Sequence, residues 1–142
     1  MAIGDIKKEP PGGALGPFTA AAALTKGNVV YIDSSGTVDV AVATTENPKY
    51  AVSESYDNAA TNVYIWGPGT IIDLKASGTI AAGTFLLPAA AGAVQVYANI
   101  TISSTVTQAQ AQNIEKNTKY RVGRNLEKAS TSTTNALTVL LE

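Results

Sequence analysis

Side chains that carry out chemistry at neutral pH are scarce in this sequence. The chain of 142 residues has no histidine and no cysteine, so it lacks the commonest general base and the thiolate that serves as nucleophile or metal ligand. Serines are present, but no Gly-x-Ser-x-Gly segment surrounds one and no imidazole could activate them. The sequence therefore predicts that the protein is not an enzyme and has no catalytic residues.

Carboxylates are the remaining side chains that could take part in catalysis or metal binding. Asp33 and Asp39 flank one short turn, where they could approach each other, but a turn is an ordinary place for aspartate. The hydroxyls of Ser34 and Ser35 add oxygens beside Asp33, yet the loop has too few ligands for a calcium site of the EF-hand type. We predict a simple turn here, with no metal site and no cofactor.

Basic residues are concentrated near the C-terminus, although the formal net charge of the whole chain is −1. That overall charge argues against a nucleic-acid or membrane partner. Half of the ten lysines and arginines fall within one segment, which has a single acid, Glu127, after its first lysine. The segment is either a solvated strand face or a docking patch for an acidic surface. Its cations are Lys116, Lys119, Arg121, Arg124 and Lys128.

Two stretches of the chain repeat one pattern. The segment "KGNVVYIDSSGTVDV" begins at Lys26, and "AGTFLLPAAAGAVQV" begins at Ala82. In both, a glycine precedes an apolar run, a turn of small residues follows, and a second glycine leads into alternating valines. The spacing from Gly27 to Gly83, which we call the repeat offset, aligns the two segments throughout. Because such alternation is typical of half-buried strands, the sequence predicts the same β-hairpin twice.

A polar turn and an apolar strand follow each hairpin. "KYAVSESYDNAATNVYIW" from Lys49 resembles "KYRVGRNLEKASTSTTNALTVLL" from Lys119, at a spacing longer than the repeat offset. The second half therefore contains an insertion at about 99–118, in which residues 108–116 could form about two helical turns without a convincing cap. We predict one all-β domain over 18–142, a small duplicated barrel or sandwich with repeats at about 19–66 and 75–141.

Residues 1–17 have a different composition. Pro10-Pro11-Gly12-Gly13 and Gly16-Pro17 exclude helix and discourage a central strand. Fully extended, such a segment reaches about 55 Å at about 3.3 Å per residue. We expect an extended N-terminal arm that either contacts a neighbouring molecule or forms a loose tail.

Three segments together resemble the decoration, or cement, proteins of tailed-bacteriophage capsids. These are "AALTKGNVVYIDSSGTVDVAVA", "IAAGTFLLPAAAGAVQV" and the closing "KYRVGRNLEKASTSTTNALTVLLE", which together cover most of residues 19–142. The closing segment is similar to the family's Val-Gly-x-x-Leu-Glu-x-Ala strand. The residues at those positions are Val122, Gly123, Leu126, Glu127 and Ala129.

The resemblance implies a β-tulip-like fold and a structural role. Such a protein would be made in the host cytoplasm, would bind the exterior of the expanded capsid as a homotrimer in the virion, and would stabilise the shell against internal DNA pressure. Its partners would be the major capsid protein and copies of itself. The residues expected to bind the capsid are Pro10, Pro11 and Phe18 near the arm and Lys119, Arg121 and Arg124 in the basic segment.

A second interpretation belongs to another class of protein. Trp66 and the nearby tyrosines could form an exposed aromatic face on a carbohydrate-binding or adhesive β module, such as a head fibre or surface-layer domain. The two interpretations differ in whether Trp66 faces solvent or packs in the interior.

Overall fold

Regular structure in the computed structural model is almost entirely β, as the sequence predicts. The structure describes residues 3–45, 47–78, 80, 83–96, 104–105, 107–112, 120–126 and 136–142. The strands are β1 Ile6–Lys8, β2 Leu15–Phe18, β3 Val29–Ile32, β4 Val38–Val40, β5 Tyr50–Ala51, β6 Val63–Ile65, β7 Ile71–Lys75, β8 Phe85–Pro88, β9 Val94–Val96, β10 Gly123–Asn125 and β11 Ala136–Leu141.

The strands are arranged in three sheets. The largest has six strands in the order β1-β7-β11-β10-β8-β9, a second pairs β2 with β6, and the third has the order β4-β3-β5. All of these neighbouring strands are antiparallel. Over the described residues, the named strands form open sheets and no closed barrel.

The two hairpins predicted from the repeat are both present. In the first, β3 pairs with β4 so that Val30 lies opposite Val40. In the second, β8 pairs with β9 so that Leu86 lies opposite Val96. The paired strands and their register therefore match at the repeat offset. The first turn is closed by the Gly36 amide, which donates to the Asp33 carbonyl at 3.0 Å.

The strand that follows each hairpin aligns differently from the sequence prediction. Tyr50 on β5 pairs with Val30, whereas Gly123 on β10 pairs with Leu86. The structural counterpart of Tyr50 is therefore Gly123, and the alignment of the two Lys-Tyr-x-Val segments, which matched Tyr50 with Tyr120, was wrong. The physical reason is that a Cβ atom at position 123 would clash with the Leu140 backbone of β11, so a side chain equivalent to that of Tyr50 does not fit there.

Two clusters of buried apolar side chains form the core. Alternation decides which side chains enter them: Val63 and Ile65 are fully buried, while Tyr64 between them is 43% exposed. Each fully buried Leu, Ile or Val contributes about 1.5–3 kcal/mol of transfer free energy. The first core cluster contains Ala20, Leu24, Val30, Val38, Val52, Val63 and Ile65. The second contains Val29, Ala41, Ala51, Ile72, Leu74, Ala76, Ile80, Leu86, Val94, Val122, Leu137, Val139 and Leu141.

The N-terminal segment lies against its own domain. β1 pairs with β7, where Ile6 lies opposite Ile72, and β2 pairs with β6, where Leu15 lies opposite Ile65. Ile6 packs against the second core cluster. In this structure, the segment for which we expected an arm thus supplies one edge strand and one paired strand to the sheets of its own chain.

The insertion contains the start of a helix with a cap that the sequence analysis did not identify. Residues 108–112 are helical. The Gln110 amide donates to Thr107 Oγ1 at 3.2 Å, and the Thr107 amide donates to Gln110 Oε1 at 3.1 Å. This reciprocal pair is a capping box, which satisfies two amides that have no partner within the helix. The expected continuation to residue 116 lies outside the described residues.

Candidate docking surface

The strongest candidate site is a group of two arginines around one aromatic ring, which we call the arginine cluster: Phe85, Arg121, Arg124 and Glu142. The Arg121 guanidinium carbon lies 3.9 Å from the centroid of the Phe85 ring, and that of Arg124 lies 5.2 Å from it. Both distances allow a cation–π interaction. The ring therefore holds two cationic groups in defined positions, of which Arg124 is exposed and Arg121 is half-buried.

Strand pairing brings this cluster together. Phe85 on β8 lies directly opposite Arg124 on β10, and cross-strand partners point to the same face of a sheet. Arg121 lies just before β10 and reaches the same ring. Arg124 also forms an ion pair with Glu142, with Arg124 Nη2 at 3.2 Å from Glu142 Oε1. Because Arg124 is 47% exposed, this pair contributes little to stability, about 0–1 kcal/mol.

The arginine cluster continues as a row across the six-stranded sheet. Arg124 lies opposite Leu140, Leu140 opposite Ile71, and Ile71 opposite Lys8. The residues of this row are half-buried or exposed, while Val139 and Leu141 beside Leu140, and Ile72 beside Ile71, belong to the second core cluster. The outer face of the sheet thus combines apolar side chains with cations, a composition that suits docking to an acidic protein surface.

The sequence-predicted site residues fall into separate regions. Arg121 and Arg124 are brought together, while Lys119 lies outside the described residues. Pro10 and Pro11 lie in a turn in which the Gly13 amide donates to the Pro10 carbonyl at 3.1 Å. Phe18 is half-buried against the first core cluster, so packing in the interior accounts for its side chain.

Phe85 is the functional candidate that the sequence analysis did not single out. The available signal was its place in a strand: Phe85 alternates with the buried Leu86, which puts its side chain on the outer face. Its contact with two arginines depends on the pairing of β8 with β10. That pairing joins residues separated by the whole insertion, so spacing along the chain did not reveal it.

A buried carboxylate was also missed. The side chain of Asp73 on β7 is 0% exposed and faces two partners from distant parts of the chain. Its Oδ1 accepts a hydrogen bond from Thr138 Oγ1 at 2.7 Å, and its Oδ2 lies 3.4 Å from Lys7 Nζ. The Lys7 side chain is 45% exposed. This group connects β1, β7 and β11 and therefore anchors the N-terminal segment.

The two aspartates of the first hairpin are occupied by local hydrogen bonds. Asp33 Oδ1 accepts from the amides of Ser35 and Thr37, and its Oδ2 accepts from the Thr37 hydroxyl. Asp39 Oδ1 accepts from the Val40 amide at 2.8 Å. These contacts agree with the predicted turn. Among the described residues, no group of three or more acidic side chains is placed to hold a metal ion.

The turn makes a pH-dependent contribution to stability. The hydrogen bond from the Thr37 hydroxyl, followed by the amide of Thr37 and that of Ser35, lowers the pKa of Asp33 below its ordinary value. Because the folded-state pKa is the lower one, the stabilisation is complete above the ordinary carboxyl pKa and is lost as the pH falls through the folded value.

We expect Thr37→Val to raise the pKa of Asp33 toward its ordinary value, since it removes the strongest of these hydrogen bonds. A titration of the Asp33 carboxyl by NMR in both proteins would measure the change. Thr44→Val, which alters an exposed threonine outside the turn, is the matched control. An Asp33 pKa that is the same in wild type and Thr37→Val would contradict this assignment.

Two aromatic residues, Tyr64 within β6 and Trp66 directly after it, differ in their exposure to solvent. Tyr64 is exposed, whereas Trp66 is half-buried and its indole Nε1–H donates to Ser53 Oγ at 3.0 Å. Residues two apart on a strand share a face, so the two rings lie on the same side. The partial burial of Trp66 and its hydrogen bond to Ser53 give this side chain a structural role that does not depend on a ligand.

Comparison of the chain with protein-family models, with curated proteins and with solved structures finds no match in any of the three. Among the described residues, none of the helices has the length and apolar character that spanning a membrane requires.

Proposed function

We propose that this protein is a decoration protein that binds the exterior of an expanded phage capsid as a trimer and stabilises the shell. The proposal starts from the resemblance of residues 19–142 to that family and includes its finer fold, a duplicated β-tulip or barrel. It places the protein in the virion, with the major capsid protein and further copies of itself as partners. It assigns no catalytic residue, cofactor or metal.

The arginine cluster is the observation that carries the proposal. Its two arginines lie on β10 or just before it, in the closing segment that resembles the family, and their guanidinium groups are held against the Phe85 ring of β8. Guanidinium groups bind carboxylates through charge-assisted hydrogen bonds. In this proposal, Arg121 and Arg124 meet acidic side chains of the assembled shell, and Lys119 adds a third cation.

Weak individual contacts suffice for this role. A shell presents many equivalent sites, and a trimer that engages several of them gains affinity through effective concentration. The N-terminal segment is a second contact region in the proposal, with Pro10 and Pro11 at its turn. That turn is partly exposed, so it is accessible while β1 and β2 remain in their sheets.

Co-sedimentation with expanded and unexpanded capsids of the source virus tests the proposal. We expect saturable binding at a fixed ratio to capsid subunits on expanded shells and no binding to unexpanded ones. Arg124→Glu should weaken binding at least about tenfold, since a charge-assisted hydrogen bond contributes about 1.5–3 kcal/mol. Lys75→Glu, which makes the same charge change at another exposed position, is the control. Absence of binding to either shell would refute the capsid role.

The carbohydrate-binding interpretation is the second candidate. The observation in its favour is that exposed Tyr64 and half-buried Trp66 share one face, an arrangement on which a sugar ring could stack. A glycan screen followed by tryptophan fluorescence decides between the two functions. A saturable change in Trp66 emission that Tyr64→Ala abolishes would support sugar binding over cementing.

A further inference from the structure

A cavity of about 350 Å³ lies between the two halves of the chain. Segments that are distant in sequence line it: Ile3 before β1, residues 25–28 before β3, Lys75 at the end of β7, and Ala91 in the turn between β8 and β9. None of these residues belongs to the arginine cluster. The volume is at the lower end of the range for ligand pockets, about 300–1,000 Å³, and such pockets are common where two substructures meet. The cavity therefore has room for a small molecule.

Hydrogen bonds hold the 25–28 loop in one conformation. The Thr25 amide donates to Asn28 Oδ1 at 2.8 Å, and the Asn28 amide donates to the Thr25 carbonyl at 2.9 Å. The Gly27 amide donates to the Val52 carbonyl at 2.8 Å. A wall that is already fixed in this way loses little conformational entropy when a ligand binds.

The two apolar lining residues are packed against the same loop. Gly27 has φ +88°, and a Cβ atom there would clash with Ile3 Cγ2 and lie 3.0 Å from the Gly4 amide nitrogen. The N-terminal segment therefore approaches the loop so closely that only glycine fits. From the other half of the chain, the Ala91 carbonyl accepts a hydrogen bond from Asn28 Nδ2 at 3.2 Å. Ile3 and Ala91 thus give the cavity an apolar part with a defined position.

Two cations line the cavity, and none of the described residues that line it is acidic. Lys26 Nζ lies 3.1 Å from Asp5 Oδ1, and this contact uses one of the three N–H donors of the ammonium group. Lys75 is exposed, and the ion pairs between described residues do not include it. Two lysines and this one carboxylate leave the cavity positive in a chain whose formal net charge is −1. The cavity therefore attracts anions.

Charge and lining together define the class of ligand. A carboxylate carries a single negative charge, which matches the charge that the two lysines and Asp5 leave at the cavity. A phosphate monoester carries about −1.5 to −2 at neutral pH and exceeds it. An apolar wall with a small number of polar groups is typical of sites for small organic molecules.

We propose that this cavity binds a small organic carboxylate, whose charged group is held by Lys26 and Lys75 and whose apolar part lies against Ile3 and Ala91. The two ammonium groups donate charge-assisted hydrogen bonds to the carboxylate, and contact with the apolar wall removes hydrocarbon surface from water. The site is separate from the capsid-binding surface proposed above, and its occupation requires no capsid.

Benzoate is the probe for this site, and benzamide is the control ligand, because the two have the same ring and similar size but only benzoate is charged. ¹H–¹⁵N correlation spectra of the full chain, recorded at neutral pH and low salt, follow each titration. We expect benzoate to shift the amide signals of Gly27, Asn28 and Lys75 in a saturable manner. Benzamide should bind at least about tenfold more weakly, since it lacks the charge-assisted hydrogen bonds.

Lys75→Met removes one of the two cations from the cavity and should weaken benzoate binding at least about tenfold. Lys8→Met makes the same change at an exposed position that does not line the cavity, and it should leave the affinity unchanged. Circular dichroism with thermal unfolding verifies that both variants are folded. Arg124→Glu, which weakens shell binding in the proposed function, should bind benzoate as the wild type does.

Absence of a saturable shift at these three amides would overturn the proposal, as would equal affinities for benzoate and benzamide. Equal losses for Lys75→Met and Lys8→Met would also overturn it, because the attraction would then come from the overall charge of the protein. These measurements contain no capsid. A cavity that fails to bind benzoate therefore leaves saturable shell binding untouched, and a failure to bind shells leaves the benzoate titration untouched.

Discussion

Replacement of Lys7 by methionine is expected to lower the free energy of unfolding by about 3 kcal/mol, because removal of one partner of a buried ion pair leaves the other charge without compensation. The remaining charge is the Asp73 carboxylate, which is fully buried, while its hydrogen bond from Thr138 serves only Oδ1. The expected loss is at the lower end for such pairs, since Lys7 itself is partly exposed. Urea unfolding measured at neutral pH gives the change.

A second substitution separates the charge from the packing. Lys7→Met combined with Asp73→Asn should recover most of the lost stability, because the neutral amide needs no cation and its oxygen still accepts from Thr138. Lys8→Met, at the neighbouring exposed position of β1, should change stability by less than about 0.5 kcal/mol. Equal losses for Lys7→Met and for the double variant would show that the ion pair is not the cause.

The ion pair between Lys7 and Asp73 decides which variants can test whether the N-terminal segment binds the shell. Deletion of residues 1–17 removes Lys7, exposes the β7 edge and takes away three of the four residues of β2. We therefore expect such a truncation to destabilise the domain, in contrast to a loose arm. Substitutions at the exposed Pro11 examine shell binding without this effect.

Introduction of a methyl group at Gly123 is expected to lower the free energy of unfolding by as much as Lys7→Met does. A Cβ atom at this position would lie 2.1 Å from the Leu140 carbonyl oxygen and 2.9 Å from its carbonyl carbon. These are backbone atoms of the adjacent strand β11, so they cannot move aside as a flexible side chain would. Forcing strands β10 and β11 apart disrupts two neighbouring pairings, and Gly123→Ala should lower the free energy of unfolding by about 3 kcal/mol or more.

Gly12→Ala provides the comparison for this prediction. Gly12 has φ +92° and no atom within 4 Å of a built Cβ, so alanine there meets a conformational cost of about 1–2 kcal/mol and no clash. Chemical denaturation of both variants measures the difference. A loss at Gly123 no larger than that at Gly12 would mean that β10 and β11 separate easily. Because Arg124 follows Gly123 directly, such an easy separation would also weaken the case for a rigid arginine cluster.

Local residue patterns were sufficient to predict the β elements. Alternation in β6 separates buried Val63 and Ile65 from exposed Tyr64. Gly36 marks the turn between β3 and β4. These features depend on near neighbours in the chain, whose preferences act on the backbone directly. The repeat predicted two hairpins with one register, and both were found.

Features formed by contacts between distant residues were not predictable in the same way. The N-terminal segment has the prolines and glycines of an arm, yet Lys7 forms an ion pair with the buried Asp73 and Ile6 packs against the second core cluster. The place of Gly123 in β10 depends on the narrow space beside Leu140. The capping box of the helix in the insertion is a local feature, because Thr107 and Gln110 are only three residues apart in the chain.

The sequence by itself determined the all-β class, the two hairpins and the small number of chemically active side chains, because composition and short-range periodicity control these properties. Only the tertiary structure decided that Arg121 and Arg124 share the Phe85 ring and that Asp73 is buried beside Lys7 and Thr138. Strand pairing brings these residues together across long stretches of chain, and the energy of that pairing comes from burial and packing of the whole domain.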